Sequence, residues 1–441
     1  MARMTVRVRR TAVALCFAAA AATVGGAQPE RPAQTMNEIA EGYVKLVLGM
    51  GQHDPDYVDA YYGPAEWKKQ AEAAKLPLDA LGARAAELMA RLSALDVPQD
   101  ELPQLRRQYL ERQLSALRAR VRVLQGERLS FDEESKALYD AVAPTLPASH
   151  FEAILTKLAK RFPGDGPLAN RYEAFRRAFV IPPSKLEAVF TAAVQACRER
   201  TLKHIALPDT ERFSVEYVTN KSWSGYNWYQ GNYRSLIQVN TDLPIYIDRA
   251  IDLACHEGYP GHHVYNALLE KHLVRDRGWP EFSVYALFSP QSLIAEGTAN
   301  YGIEVAFPGP ERVVFEKSVL FPAAGLDPSK ADEYYEAQAL VEGLSYAGNE
   351  AARQYLDGKI DAAAAARWLE RYALMSPERA AQRVRFIDQY RSYVINYNLG
   401  KDMVRDYIES KVGPAGPAQG TKRWDEFEGL LSSPRLPSGL K

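Results

Sequence analysis

The chain has 441 residues, and its 47% hydrophobic and 25% charged content is that of an ordinary globular protein. This length and composition allow a large core and exclude intrinsic disorder, collagen-like structure and a small disulfide scaffold. With 54 Lys and Arg against 55 Asp and Glu, no overall positive charge is present to attract nucleic acid or an anionic membrane. We therefore predict that neither nucleic acid nor a membrane surface is the partner.

The first 27 residues are typical of a signal peptide. Four arginines precede an apolar run over residues 11–24, and three small residues at positions 25–27 suit cleavage by a signal peptidase. The run is shorter than the about 20 residues that a membrane-spanning helix needs. We expect an exported protein, periplasmic or secreted, whose mature chain begins near Gln28. An N-terminal anchor that is never cleaved is the alternative.

Residues 28–211 are predicted to form an N-terminal helical scaffold. Segments 80–95 and 104–125 repeat apolar residues at spacings of three and four, with Arg and Glu on the remaining positions. The pattern changes in the second half, residues 212–441. Alternation over 213–218 and 235–240 predicts strands of a small antiparallel sheet, and helical periodicity returns from Ile245 to about Ser410.

Three cysteines are present, and Cys16 falls inside the signal peptide. The other two, Cys197 and Cys255, could pair in an oxidising compartment. Both lie in helix-like apolar segments without the cysteine density of a disulfide framework. We therefore expect two buried free thiols, with a disulfide as the alternative.

Three of the seven histidines fall within eight residues, in the string that runs from His256 to His263, HEGYPGHH. Zinc peptidases of the HExxH type place two imidazoles four residues apart on one helical face, with a glutamate beside the first as general base. Here the fourth position after His256 is Pro260. An uninterrupted helix would rotate by about 600° over six residues and point His262 away from His256.

Pro260 and Gly261 predict a distortion that resolves this conflict. Proline removes a backbone donor, and glycine tolerates the dihedral angles of a bulge, so the helix is expected to bulge or restart here. A bulge that absorbs two residues returns His262 to the place of the second ligand. His263 then becomes a neighbour of the site and a candidate substrate contact.

The string resembles the HE-x-x-PGHH signature of a large bacterial family of domains of unknown function. Apart from the two-residue insertion, it is also similar to the HE-x-GH of thermostable-carboxypeptidase-type zinc peptidases. A second block over residues 295–301, AEGTANY, resembles the family's EGWALY, whose glutamate corresponds to the third zinc ligand of thermolysin-like (gluzincin) enzymes. The resemblance implies Glu296 as that ligand, and it also selects Tyr397, in the C-terminal Tyr-x-x-Gly pattern that ends at Gly400.

The sequence departs from the family at three places. Thr298 replaces the tryptophan of the second block, and the second acid is displaced to Glu304. The family's later DTGLH-like stretch corresponds to residues 341–345, which contain no histidine. These differences bear on substrate preference more than on the metal.

The residues themselves support the same assignments. Glu296 lies among small and apolar residues, where an unpaired carboxylate is costly to bury and a metal would supply the counter-charge. Glu257 follows a ligand and is expected to be the general base. Since no histidine follows His272, a tyrosine is expected to stabilise the oxyanion, and Tyr397 is the candidate.

Four further residues are candidate substrate contacts. His263 adjoins the metal ligands, Arg391 could anchor a substrate carboxylate, Tyr301 ends the second block, and Asn240 ends a strand. That strand, residues 236–240, is the candidate edge to which a substrate backbone would add. For Asn240 a strand-to-helix turn is an equally good interpretation.

The prediction is a mostly α fold: a large helical domain with a deep cleft and a small antiparallel sheet next to the metal-binding helix. One Zn²⁺ per chain, held by His256, His262 and Glu296, would support hydrolysis of peptide bonds by activated water. Three alternatives stay open: an iron(II) oxygenase triad, a hydrolase of non-peptide amides or esters, and a binding protein with a degenerate site. Substrate identity, endo- or exo-action and oligomeric state are left undetermined.

Overall fold

Helices carry most of the chain, which confirms the predicted mostly α fold. The structure, a computed structural model, describes residues 35–414 and 420–440; the predicted signal peptide lies outside this part. The α-helices are α1 Met36–Met50, α2 Ala65–Ala74, α3 Leu78–Ser93, α4 Glu101–Leu124, α5 Phe131–Tyr139, α6 Ala148–Arg161, α7 Leu168–Arg176, α8 Leu186–Leu202, α9 Asp248–Leu253, α10 His262–Leu269, α11 Pro290–Ala306, α12 Glu311–Phe315, α13 Phe321–Ala324, α14 Ala331–Glu342, α15 Ala347–Leu356, α16 Ala362–Tyr372, α17 Pro377–Tyr390, α18 Ile395–Val412 and α19 Gly420–Leu431.

The part of the chain that the structure describes also contains five short strands: β1 Val58–Tyr61, β2 Arg212–Val218, β3 Gly225–Gly231, β4 Arg234–Asn240 and β5 Val284–Ala286. Strand β1 pairs with β5 in an antiparallel ladder. This pairing joins segments from both sides of the predicted boundary at residue 211. The described residues from Met36 onward form one compact unit.

The small sheet has the strand order β2-β4-β3. Strands β3 and β4 form an antiparallel hairpin, as expected, whose turn places Asn232 and Tyr233 at positive φ. Strand β2 pairs with β4 in parallel, with Arg212 opposite Arg234. Because β4 is hydrogen-bonded on both sides, the interpretation of residues 236–240 as a free edge for substrate is wrong. Strand β3 is the edge nearer the site described below.

Helices α11 and α18 cross at two glycines. A Cβ on Gly297 would lie 2.5 Å from main-chain atoms of Gly400, and one on Gly400 would lie 2.7 Å from the carbonyl oxygen of Leu293. Any larger residue would force the two helices apart. The crossing therefore accounts for the Gly400 of the C-terminal pattern, and it brings the start of α18 against Glu296 on α11.

The expectation of two free thiols is wrong, because Cys197 on α8 is disulfide-bonded to Cys255, with Cα atoms 5.7 Å apart. The two cysteines are 58 residues apart in sequence. Helix α8 packs directly on the segment that contains Cys255, and this tertiary contact cannot be inferred from cysteine spacing. Among the helices of residues 35–414 and 420–440, none is long and apolar enough to cross a bilayer.

Candidate metal centre

The helix that begins as α9 is distorted where the sequence predicts it. It widens into a π-helical turn over Ala254–Gly258, is interrupted at the cis peptide bond between Tyr259 and Pro260, and restarts as α10. At Gly261 a Cβ would lie 1.9 Å from the carbonyl oxygen of His256. Only glycine fits this close approach, and the restart turns His262 back toward His256.

Three ligand atoms meet at this distortion. His256 Nε2 lies 3.1 Å from His262 Nε2 and 3.2 Å from Glu296 Oε2, and His262 Nε2 lies 3.7 Å from Glu296 Oε2. Ligand atoms around a tetrahedral zinc ion, at bond lengths near 2.0–2.1 Å, are about 3.3 Å apart. The spacing of the three atoms therefore fits a zinc ion.

Glu296 is the strongest sign that the cluster is built for a cation. Its Oε1 accepts a hydrogen bond from Tyr393 Oη at 2.8 Å, whereas its buried Oε2 has no conventional hydrogen-bond partner and faces the two imidazoles. Burial alone would raise the pKa of Glu296, but the contacts with His256 and His262 hold it well below its ordinary value. A buried, ionised oxygen between two ring nitrogens is the environment that a divalent metal stabilises.

Asn300 orients the first histidine. His256 Nδ1 donates to Asn300 Oδ1 at 3.2 Å, and Asn300 Nδ2 donates to the carbonyl of Tyr397 at 3.2 Å. With its proton on Nδ1, the neutral ring presents the lone pair of Nε2 to the cluster. Asn300 lies one helical turn after Glu296, and this i, i+4 spacing is a signal by which sequence analysis could have found it.

Glu257 lies beside the three ligand atoms and faces the same cavity. Its side chain is buried, and burial raises the pKa of its carboxyl to about 7. The carboxylate oxygen lies within 4.8 Å of the histidine nitrogens. A Cβ on Gly225 would come within 2.8 Å of Glu257 Oε1, so β3 passes directly over this carboxylate. A carboxyl group poised near neutral pH suits a general base.

The cluster opens into a cavity of about 910 Å³, the deep cleft that the sequence predicts. Strand β3, the π-helical turn and helices α11, α17 and α18 contribute to its walls. Tyr397 lines the cavity, and burial together with the negative charge of Glu296 raises the pKa of its phenol well above the ordinary value. Its hydroxyl therefore remains a hydrogen-bond donor over the whole physiological range.

His263 belongs to a different environment. It is fully buried, donates from Nε2 to Glu211 Oε2 at 2.9 Å and contacts Ser235 Oγ through Nδ1 at 2.9 Å. Glu211 also accepts hydrogen bonds from Tyr259 and Arg198. The structure places His263 behind the cluster of His256, His262 and Glu296 and away from the cavity lining, which does not support its assignment as a substrate contact.

The other three candidate substrate contacts also lie outside the described lining of the cavity. Arg391 donates from Nε to Glu134 at 2.6 Å. The side-chain amide of Asn240 donates to main-chain carbonyls of the turn before β3, which is the strand-end interpretation. Tyr301 is buried, with its ring 6.2 Å from that of Phe427.

Two residues that the sequence analysis missed line the cavity near the cluster. Asp59, on β1, accepts a hydrogen bond from Tyr226, and burial raises the pKa of its carboxyl to about 6. Arg383, on α17, lies beside Tyr397. Neither residue belongs to a motif with ligand spacing; for both, the tertiary fold alone reveals the position.

No protein-family model and no curated protein matches the chain. The solved structures that are similar to it include two putative lipoproteins. One is described as the putative lipoprotein from Colwellia psychrerythraea, with 15% identity, coverage of 85% of this chain and 71% of that chain, and a TM-score of 0.49. The other is a putative lipoprotein of unknown function from Shewanella oneidensis, with 12% identity, coverage of 89% and 82%, and a TM-score of 0.42. Neither likeness bears on the function of this chain.

Proposed function

We propose that this protein is a zinc-dependent hydrolase of peptide bonds that acts after export from the cytoplasm. The observation that carries the proposal is the convergence of His256 Nε2, His262 Nε2 and Glu296 Oε2 within 3.1–3.7 Å, with Glu296 Oε2 buried and otherwise unbonded. Export rests on the signal-peptide pattern of residues 1–27.

His256, His262 and Glu296 would hold the zinc ion, and three protein ligands leave a position open for catalysis. When bound, zinc supplies Lewis acidity that makes water nucleophilic near neutral pH and polarises a carbonyl group. Asn300 and Tyr393 hold the first imidazole and the carboxylate in place through the hydrogen bonds described above.

Glu257 is the proposed general base. Its carboxylate accepts a proton from the attacking water and then delivers that proton to the leaving amine. Its position beside the ligand atoms, facing the cavity, suits both transfers. Tyr397, whose phenol stays protonated in the cavity, donates a hydrogen bond to the oxyanion that develops at the scissile carbonyl.

The cavity favours peptides over folded proteins as substrates. Its volume of about 910 Å³ is in the range of clefts that enclose small ligands. Gly225, Tyr226 and Asn227, on the edge strand β3, line it beside Glu257. An extended peptide could therefore lie along β3 with its scissile bond next to the metal cluster.

The first experiment is elemental analysis of the purified mature chain, followed by digestion of a peptide library. We expect one zinc per chain and cleavage that stops on chelation and returns with zinc. Glu257→Gln should retain zinc and the fold while turnover falls by about 100- to 10,000-fold, because an amide cannot accept the proton. Glu87→Gln, at an exposed position of α3, is the matched control.

Other outcomes would lead to the alternatives. Zinc binding with hydrolysis of acylated esters or small amides, but not of peptides, would indicate a non-peptide hydrolase. A chain that takes up no zinc, and whose melting temperature is unchanged by chelation, would contradict the proposal and favour a binding protein. Normal turnover in Glu257→Gln would remove Glu257 from the mechanism.

A further inference from the structure

Arg383 is a cation in the cavity without an anionic partner. Its guanidinium carbon lies 4.7 Å from the ring centre of Phe386 and 5.7 Å from that of Tyr397. No carboxylate of the described residues lies within 4.0 Å of it, and no hydrogen bond to it is formed there. Removing a guanidinium from bulk water without an anionic partner is unfavourable.

The other cations of the cavity wall are all engaged. Arg249 and Arg312 share Asp252 at 2.9 and 2.8 Å. Lys401 is paired with two glutamates at 2.8 and 3.0 Å. Arg379 donates to a main-chain carbonyl at 2.7 Å. Arg383 therefore differs from its neighbours in having all its donors available to a ligand.

Arg383 lies close to the three proposed metal ligands. Tyr397, the proposed oxyanion donor, is in contact with the guanidinium, and Glu296 is close enough to act on its charge. Glu296 is not its partner, because one carboxylate oxygen accepts from Tyr393 and the other faces the two histidines. An anion bound at Arg383 would thus lie next to a carbonyl group held at the cluster.

We propose that Arg383 binds the C-terminal carboxylate of the peptide substrate, so that the enzyme removes residues from free C-termini. This inference rests on the proposed peptidase function. A planar guanidinium matches a carboxylate with two parallel hydrogen bonds, and stacking on two rings holds it in one orientation. Arg391, which the sequence favoured for this role, is occupied by Glu134.

The test compares two sets of N-acetylated tetrapeptides, one with a free C-terminal carboxylate and one with a C-terminal amide. The wild-type enzyme should prefer the acids by at least about tenfold in kcat/KM, and mass spectrometry should show release from the C-terminus. In Arg383→Gln the acid-to-amide ratio should fall by about 10- to 100-fold, because a charge-assisted bidentate contact is lost.

Two variants make the comparison specific. Arg383→Lys keeps the charge but cannot form the two parallel hydrogen bonds of a guanidinium, so its acid-to-amide ratio should be intermediate. Arg385→Gln, at an exposed position two residues along α17, should keep the wild-type ratio. Equal cleavage of acids and amides by the wild type would overturn the inference. Equal losses of kcat/KM on acids and on amides in Arg383→Gln would also overturn it, because Arg383 would then stabilise the transition state and would not bind the substrate carboxylate.

A binding measurement separates this inference from the proposed function. In the Glu257→Gln background, calorimetry should show tighter binding of the acid than of the amide, and Arg383→Gln should abolish that difference. If no peptide is cleaved but this preference is present, the peptidase proposal fails and the carboxylate site stands. If peptides are cleaved but acids bind no better than amides, the carboxylate site fails alone.

Discussion

Two histidine environments lie back to back in one short segment, and they differ in how their polar atoms are satisfied. On one side, His256 and His262 direct their Nε2 atoms at each other and at Glu296 Oε2, which has no hydrogen-bond partner. On the other side, both nitrogens of His263 have partners, one of which is Glu211. The carboxylate of each environment, Glu296 or Glu211, is buried, so burial of the carboxylate does not distinguish a site from a structural cluster.

This difference in how polar atoms are satisfied indicates which of the two clusters binds a ligand. Around Glu211, a carboxylate, an imidazole, a phenol and a guanidinium satisfy one another, and the cluster needs nothing further. Around Glu296, two ring nitrogens and one carboxylate oxygen face one another, and the oxygen has no conventional hydrogen-bond donor among the described residues. Convergent lone pairs are costly unless a cation binds, whereas a closed network stabilises the fold.

Replacing each of the two adjacent histidines by Ala, in separate variants, gives the largest expected effect. His262→Ala removes a proposed zinc ligand, so zinc content should fall from one per chain to near zero and turnover should vanish. His263→Ala should keep zinc while the free energy of unfolding falls by about 1–3 kcal/mol, because Glu211 loses one of its donors. Elemental analysis and denaturant unfolding check both variants. The reverse result would show that the bulge places His263, not His262, in the site.

Tyr397, on α18, and Tyr393, in the short 3₁₀ turn just before it, sharpen the same comparison on the side of His256 and His262. Tyr397→Phe should lower turnover by about 100- to 1,000-fold with unchanged zinc content and melting temperature, because an oxyanion donor is lost. Tyr393→Phe removes the donor to Glu296 and should instead weaken zinc binding by about 10- to 100-fold. Turnover and zinc titration are measured for both, and near-normal turnover of Tyr397→Phe would make Tyr397 a packing residue.

The disulfide between Cys197 and Cys255 stabilises the segment that contains His256. Replacing Cys197 and Cys255 together by Ala should lower the free energy of unfolding by about 2–4 kcal/mol, because the bond closes a long loop in the unfolded chain. Denaturant unfolding of the double variant, compared with the wild type with and without a reductant, measures this. An unchanged stability in all three samples would show that the thiols do not pair in solution.

The smallest expected effect is a pH-dependent one at Glu211. Burial alone would raise the pKa of this carboxyl, but hydrogen bonds from His263, Tyr259 and Arg198 lower it to about 2. A carboxyl whose pKa is lower in the folded chain stabilises the fold above its unfolded pKa, near 4.5, and loses this contribution as the pH falls toward 2.

The comparison of wild type with Glu211→Gln isolates that contribution. The difference in unfolding free energy should be about 1–3 kcal/mol above pH 5 and should shrink steadily between pH 4.5 and 2.5. Both proteins are measured without zinc, because acid releases the metal from histidine, and Glu87→Gln is the control. A difference that does not change with pH would show that packing, not charge, accounts for the effect.

The sequence by itself determined the elements with strong local signals. Apolar residues at helical spacing predicted a mostly α fold, and Pro260 with Gly261 predicted the distortion that returns His262 to His256. These predictions succeed because helical periodicity, proline and glycine act on the chain locally. Glu296 was also accessible, since an isolated carboxylate in an apolar helix requires a counter-charge.

Tertiary structure alone decided which residues meet across distant parts of the chain. The crossing of α11 and α18 at Gly297 and Gly400 sets Tyr397 beside Glu296, and the packing of α8 joins Cys197 to Cys255. Arg383 lies in the middle of α17 and Arg391 directly after its end, and only packing shows that Glu134 occupies Arg391 and that Arg383 faces the cavity. The physical reason is that a side chain's charge and shape are local, whereas its partners are set by how helices pack.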